Sequence, residues 1–238
     1  MVISPMDISR IILHCDENLL VINKPAGIRS IPDGYHPGLP HLKTLLEPEF
    51  GPLFIIHRLD KDTSGLILLA RNPEFHKALN QLFDSRQISK TYAGIIMGLP
   101  AWTDYSADEP LTINGDRDHR TRIFPKKGKP ASTKIHVDLM LNSSAVITAQ
   151  PLTGYTHQIR AHLSYMGYPI LFDELYTHGQ LRAKAKNIIE LTKVSTFPRR
   201  TMLHSIMISF LHPVTQLMTT YQAPIPPDME EIISILKK

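Results

Sequence analysis

Residues His57-Arg58-Leu59-Asp60-Lys61-Asp62-Thr63-Ser64-Gly65 place five charged or titratable side chains, two hydroxyls and a glycine in nine positions. The apolar runs Phe54-Ile55-Ile56 before them and Leu66-Ile67-Leu68-Leu69-Ala70 after them are of strand length. A polar cluster between buried strands is costly unless its groups are paired. Asp60 is the carboxylate best placed to be held by neighbours rather than by water. A carboxylate so held is a candidate nucleophile or general base. The plainer alternative is a charged hairpin loop in which Asp62, Thr63 and Ser64 satisfy backbone donors ahead of Gly65. On residue types alone, both readings stand.

The full string resembles the signature of the RluA-type pseudouridine synthases, which isomerise uridine in ribosomal and transfer RNA. The resemblance continues in order along the chain. Leu19-Leu20-Val21-Ile22-Asn23-Lys24-Pro25-Ala26-Gly27 is similar to the family's opening strand and turn, and Lys90-Thr91-Tyr92-Ala93 to its second motif. Gly128-Lys129, Ala131 and Thr133 match a recurrent linker. Gly154-Tyr155-Thr156-His157-Gln158-Ile159-Arg160-Ala161-His162-Leu163 resembles the third motif, and Leu203-His204-Ser205 with Phe210-Leu211-His212-Pro213 the closing strand. Two positions depart from the pattern. Tyr155 stands where the family usually has arginine, and Phe172 where Pro-Ile-x-Gly-Asp usually has its glycine. The first bears on one RNA or structural contact, the second on the local turn.

The resemblance implies an α/β chain of the α+β type, with a mixed, mainly antiparallel central sheet and flanking helices and loops. It implies one catalytic domain over residues 1–238, and the small N-terminal RNA-binding domain of many members is not expected, since the first hairpin starts at residue 11. Asp60 is then the catalytic residue, Tyr92 and Arg160 lie in the active site, and Leu203 is an apolar wall near the base. His57 and Arg58 flank Asp60 as support.

The reaction breaks the bond from ribose to the base nitrogen, turns the base and rejoins it through carbon. It involves no net redox change or group transfer, so the expectation is no cofactor and no metal. A carboxylate suffices if it stays ionised, which a neighbouring arginine favours. Arg160 can offer a forked, two-point pair that lysine cannot imitate. The target base must leave its stack before the glycosidic bond is reachable. Tyr92 is the candidate to stack on it, with its hydroxyl open to a polar partner.

Taken singly, these residues have plainer readings. Arg160 could be a helix-surface arginine, Tyr92 and Leu203 ordinary core, Lys90 a solvated or ion-paired lysine, and His57 a hydrogen-bonded structural histidine rather than a proton carrier. The ordered joint match lifts Asp60, Tyr92 and Arg160 above them. Two other function classes stay open beside the synthase. One is a catalytically silent RNA-binding relative, against which an intact Asp60 argues. The other is a metal-dependent hydrolase using His57, Asp60, Asp62 and His157, although His-x-x-Asp-x-Asp matches no familiar zinc motif.

Composition agrees with an RNA partner without requiring one. The 238 residues carry a net charge of +4, with a pI near 9.1, and a polyanionic partner is suspected at about that value. The single Cys15 cannot form an internal disulfide, which suits a reducing compartment. No apolar run reaches membrane-span length, and Asp7 and Arg10 stand where a signal peptide needs its apolar region. The expectation is a cytoplasmic protein with no membrane association and no obligatory protein partner.

The densest basic stretch is 114–129. Arg117, Arg120, Arg122, Lys126, Lys127 and Lys129 crowd there around Asp116, Asp118 and His119. Read blandly it is a solvated charged loop. With no separate RNA-binding module, Lys126, Lys127, Lys129, Arg120 and Arg122 become the candidates for phosphate contact.

The elements that must position these groups are legible in outline. Ile11–Leu13 and Leu19–Asn23 read as a hairpin, and residues 28–50, with four prolines, hold one helical turn near Leu42–Leu46. Asn72-Pro73-Glu74 opens a helix to about Ser85. Residues 90–97 form a strand, 131–141 and 145–151 a hairpin, and a helix runs from near Thr156 to Gly167. Residues 202–211 and 215–222 make the last hairpin. A terminal helix from Pro227 to Leu236 turns Met229, Ile232, Ile233 and Leu236 inward.

Overall fold

Two strands joined by a tight turn, β1 (Ile12–Cys15) and β2 (Leu19–Lys24), follow a short 3-10 turn over Ile8–Ile11. The Asp16 carboxylate accepts the amides of Asn18 and Leu19 at 2.7 Å each, which closes the turn. The structure is a computed structural model and describes residues 8–32, 38–113, 115–116, 120–177, 179, 188, 190, 192 and 195–238. It divides into two compact units, Met1–Ile88 with Met207–Ala223, and Ser89–Ile206 with Pro224–Lys238.

In the first unit, α1 (Leu42–Phe50), β3 (Phe54–Ile55), β4 (Ser64–Ala70) and α2 (Pro73–Asp84) follow β2. β2 pairs antiparallel with both β1 and β4, and β3 also pairs with β4. Every residue of β4 is buried, which is why its sequence is a continuous apolar run rather than an alternation. Successive side chains point to opposite faces. Leu19, Val21, Leu66 and Leu68 therefore pack with Phe75 and Leu79 of α2, while Leu20, Ile22, Ile67 and Leu69 pack with Leu42 and Leu46 of α1. The helical turn expected near Leu42–Leu46 is a nine-residue helix. Thr44 Oγ accepts from the His41 amide at 3.0 Å and donates to the His41 carbonyl at 2.7 Å, fixing its start. Burial of the Leu42 and Leu46 stripe outweighs the bond that Pro48 removes.

The second unit contains β5 (Ser89–Met97), β6 (Asp104–Ala107), the short pair β7 (Leu111–Thr112) and β8 (Arg122–Ile123), then β9 (Thr133–Met140), β10 (Ser144–Pro151) and α3 (Gln158–Tyr165). Its strands run β5-β10-β9-β6, each pair antiparallel. β11 (Leu203–Leu211) begins in this unit, and its later residues, in the first unit, pair with β12 (Met218–Gln222). The terminal helix α4 (Pro227–Lys237) buries Met229, Ile232 and Leu236, with Ile233 half-buried. The α+β class and the mainly antiparallel pairing agree with expectation.

Two of the shifted boundaries have a visible local cause. α3 starts at Gln158 rather than near Thr156, because His157 takes a left-handed backbone, φ 57°. The last hairpin's second strand starts at Met218 rather than 215. His212 Nδ1 collects the Val214 and Thr215 amides at 3.3 and 3.2 Å, and Gln216 turns left-handed at φ 55°, so these residues are spent on the turn.

Candidate active site

Asp60 lies half-buried in the irregular segment between β3 and β4, and its backbone is pinned on both sides. Upstream, Ser30 Oγ donates to the Leu59 carbonyl at 2.8 Å and accepts the Leu59 amide at 3.0 Å. Downstream, the Lys61 carbonyl receives Lys24 Nζ at 3.1 Å and the Gly27 amide at 2.8 Å. Lys24 is 0% exposed and also donates to the carbonyls of Pro25 and Ile28, at 3.0 and 2.9 Å. Gly27 reaches the loop with φ 88°, a backbone that side chains resist. The Thr63 amide closes on the Asp60 carbonyl at 3.2 Å. A carboxylate on so fixed a backbone is preorganised, as a reacting group must be.

His57 Nε2 accepts the Leu68 amide at 3.0 Å, and its ring stacks on Phe83 with centroids 5.0 Å apart. That bond commits the Nε2 lone pair and leaves the proton on Nδ1. Arg58, Lys61 and Asp62 are exposed. Thr63 and Ser64 are buried.

In the second unit, Tyr92 is buried on β5, opposite Ala149 of β10. Period-two alternation puts Lys90, Tyr92 and Gly94 on one face of the strand. Leu203 leans over Gly94, where an added β-carbon would sit 3.5 Å from Leu203 Cδ1. Tyr92 and Leu203 therefore serve the same face. Lys90 Nζ reaches towards the Thr153 carbonyl at 3.4 Å, and burial lowers its pKa.

Arg160 is buried on α3. The turn before the helix is tied by Gln158, whose Oε1 accepts the Thr153 hydroxyl at 2.6 Å and the Tyr155 amide at 3.2 Å. Gln158 Nε2 donates to the Ser132 carbonyl and to Thr133 Oγ at 2.9 and 3.0 Å. Thr133 in turn donates to His162 Nδ1 at 2.9 Å, so His162 Nε2 donates to the Glu109 carbonyl at 3.0 Å. Burial keeps the His162 pKa low, consistent with this neutral tautomer.

The fork of Arg160 is engaged by Asp173, with Nε to Oδ2 at 2.7 Å and Nη2 to Oδ1 at 2.9 Å. The two-point geometry expected of this arginine is thus made with Asp173, the aspartate that closes the Pro-Ile-x-Gly-Asp pattern. Asp173 is 0% exposed. The Tyr176 ring lies against the guanidinium, with Cζ 5.0 Å from its centroid. Phe172, just before Asp173, holds φ 61°, so the glycine-like turn survives in a residue with a side chain. Arg199 covers that ring at 5.4 Å. The other departure, Tyr155, packs with the cluster of Leu111, Ala131, Ala161 and Tyr176, and Lys129 Nζ lies 5.9 Å from its ring.

The basic loop divides by exposure. Arg120 is clamped by Asp116, Nε to Oδ2 at 2.6 Å, and its side chain is only 20% exposed. Arg122, 60% exposed, lies 3.9 Å from the same carboxylate. Lys126, Lys127 and Lys129 face solvent. Gly128 locks their turn, because a β-carbon there would lie 2.6 Å from the Pro110 carbonyl carbon and 2.7 Å from the Leu111 nitrogen. Arg117, Asp118 and His119 lie outside the described residues. Among the described residues, no three His, Cys, Asp or Glu side chains are grouped to hold a metal ion. No described helix is long and apolar enough to cross a membrane.

Residues 18–165 match the family model described as RNA pseudouridylate synthase. The chain is 32% identical over 229 residues to the ribosomal large subunit pseudouridine synthase C of Buchnera aphidicola, covering 94% of this chain and 70% of that protein. It is 29% identical over 215 residues to the dual-specificity RNA pseudouridine synthase RluA of Escherichia coli K12, covering 90% and 92%. Among solved structures, human RNA pseudouridylate synthase domain containing 4 matches with a TM-score of 0.78 at 26% identity, over 98% of this chain and 95% of that one. With the signature intact and the match running through most of its length, the chain belongs to the RluA type of the RNA pseudouridine synthase family.

Proposed function

We propose that this chain isomerises particular uridines of ribosomal or transfer RNA to pseudouridine, with Asp60 as the reacting carboxylate acting on a uridine flipped out of its stack. The observation that carries the reading is the double anchoring of the Asp60 backbone by Ser30 on one side and by Lys24 and Gly27 on the other. An anonymous charged turn has no need of a fully buried lysine beneath it. In this reaction Arg160 supplies a positive charge to the active site, and the Tyr92 ring holds the displaced base. Lys126, Lys127, Lys129 and Arg122 meet RNA phosphates, which positions the strand without reading its sequence. Arg120 serves as an internal tie of that loop. The names of the relatives support ribosomal and transfer RNA as the substrate class.

Joining C5 of the base to the ribose expels the C5 hydrogen, while N1, freed from the sugar, takes up a proton. The direct test is release of tritium from ribosomal or transfer RNA labelled at uridine C5 and incubated with the purified chain. Stoichiometric release with pseudouridine at defined positions is expected. Absence of release from all such RNAs would overturn the reading.

A further inference from the structure

One side chain, that of Tyr176, touches both the base of the cationic loop and the guanidinium of Arg160. Thr121, between Arg120 and Arg122, is buried, and its backbone closes on the Tyr176 hydroxyl in both directions. The Thr121 amide donates to that oxygen at 2.8 Å, and the hydroxyl donates to the Thr121 carbonyl at 3.0 Å. The hydroxyl proton is thereby spent, so in the 3.2 Å contact with His157 Nδ1 the imidazole is the donor. Thr121 Oγ also donates to the Thr156 carbonyl at 2.6 Å, joining the loop to the turn that leads into α3.

The ring of the same tyrosine is the surface against which the Arg160 guanidinium lies, at 5.0 Å. Asp173 holds the edge of the guanidinium and also accepts the Tyr176 amide at 3.2 Å. One partner fixes the edge of the arginine plane and the other its face. Both hinges of this assembly, His157 and Phe172, sit in left-handed backbone, at φ 57° and 61°. Such conformations persist only where the surroundings over-determine them. The exposed lysines at 126, 127 and 129 lie on the loop that Thr121 anchors.

We propose that Tyr176 is a positioning residue that couples the RNA-contacting loop to Arg160, so that seating phosphates on the loop sets the guanidinium for the reaction. This rests on the functional reading above. Tyr176 touches no substrate itself. It acts through its hydroxyl on the loop and through its ring on the arginine.

Tyr176→Phe separates these two halves, keeping the ring and deleting the tie. The measurement is pseudouridine formation under single turnover, with RNA affinity and melting temperature determined alongside. The expected result is a maximal rate about tenfold lower, RNA affinity within about twofold of wild type, and no rescue at saturating RNA. The loss should also be non-multiplicative with Arg160→Lys, since both act through one guanidinium. A Tyr176→Phe rate within twofold of wild type, or losses that multiply in the double variant, would overturn the proposal. Should Tyr176→Phe not fold, His157→Asn serves, because asparagine tolerates the left-handed backbone while losing the imidazole donor. Its expected signature is a smaller rate loss, about threefold, with the same non-multiplicativity, and a wild-type rate or multiplying losses there would overturn the proposal equally. If the wild-type chain makes no pseudouridine, the functional reading falls; if it does and these variants match it, only this inference falls.

Discussion

Lys24 and Lys61 meet with the ammonium of the first on the backbone carbonyl of the second, at 3.1 Å, one peptide beyond Asp60. Lys24 spans 37 positions of sequence to do so and is fully buried. An ammonium in such a place is tolerable only because Pro25, Ile28 and Lys61 each present a carbonyl. The Lys-Pro-Ala-Gly turn is thus the floor of the Asp60 loop. Lys24→Met should leave three carbonyls without this donor, at about 1–3 kcal/mol for each group that stays unsatisfied. A lower melting temperature is expected together with a disproportionate loss of maximal rate, since the loop loses its floor. A variant that melts early but reacts at the wild-type rate per folded molecule would show that the lysine supports only the fold.

The left-handed backbone of Phe172 predicts an unusual order of stabilities. A side chain at φ 61° costs roughly 1–2 kcal/mol relative to glycine. Phe172→Ala keeps that strain and loses the ring under Arg199, whereas Phe172→Gly loses the ring but relieves the strain. Chemical denaturation should therefore rank Phe172→Gly above Phe172→Ala. The reverse order would mean that glycine's extra freedom in the unfolded chain outweighs the strain.

The strands around the signature, their antiparallel pairing and the helix opened by Asn72 were legible because they depend on local apolar runs and caps. Asn72 does cap the Phe75 amide, at 2.8 Å. The loop's anchors were not legible, because they are distant. Ser30 reaches Leu59 across 29 positions from a proline-rich stretch that carries no periodicity. Asp173 lies 13 positions after Arg160, and only the folded chain shows that it takes the fork. A signal existed there, since Asp173 closes the Pro-Ile-x-Gly-Asp pattern in which Phe172 replaces the glycine. Nothing in Thr-His-Gln announces the left-handed His157, since its conformation is imposed by Tyr176 and the Gln158 ties.

Acid should weaken the protein through His204. Burial, aided by the Arg200 charge, pushes this imidazole down to about 4, whereas an unfolded histidine titrates near 6.5. The unfolded chain therefore binds the proton first. The contribution of the neutral ring is whole above about pH 6.5 and is lost as pH falls from there towards 4, up to about 3 kcal/mol. Unfolding free energies from pH 7 to 4 should fall less steeply in His204→Asn than in wild type. Parallel curves would place the acid sensitivity elsewhere.

The exposed lysines of the basic loop should act through phosphates. Each neutralised phosphate adds roughly 0.7–0.9 to the slope of log affinity against log salt. Lys126→Glu with Lys127→Glu should weaken RNA binding, flatten that slope by about 1.4–1.8, and regain most of the turnover at saturating RNA. An unchanged slope would show that RNA lies against another face.

Asp60 is expected to perform the chemistry and to be dispensable to the fold. Asp60→Asn replaces the charged oxygen with an isosteric amide and leaves Ser30, Lys24 and Gly27 their backbone partners, since those bonds go to Leu59 and Lys61. The measurement is tritium release from uridine-labelled RNA by this variant, taken with its RNA affinity and melting temperature. No release is expected, with affinity and melting close to wild type. Substantial release by a folded, RNA-binding Asp60→Asn chain would contradict that role of Asp60.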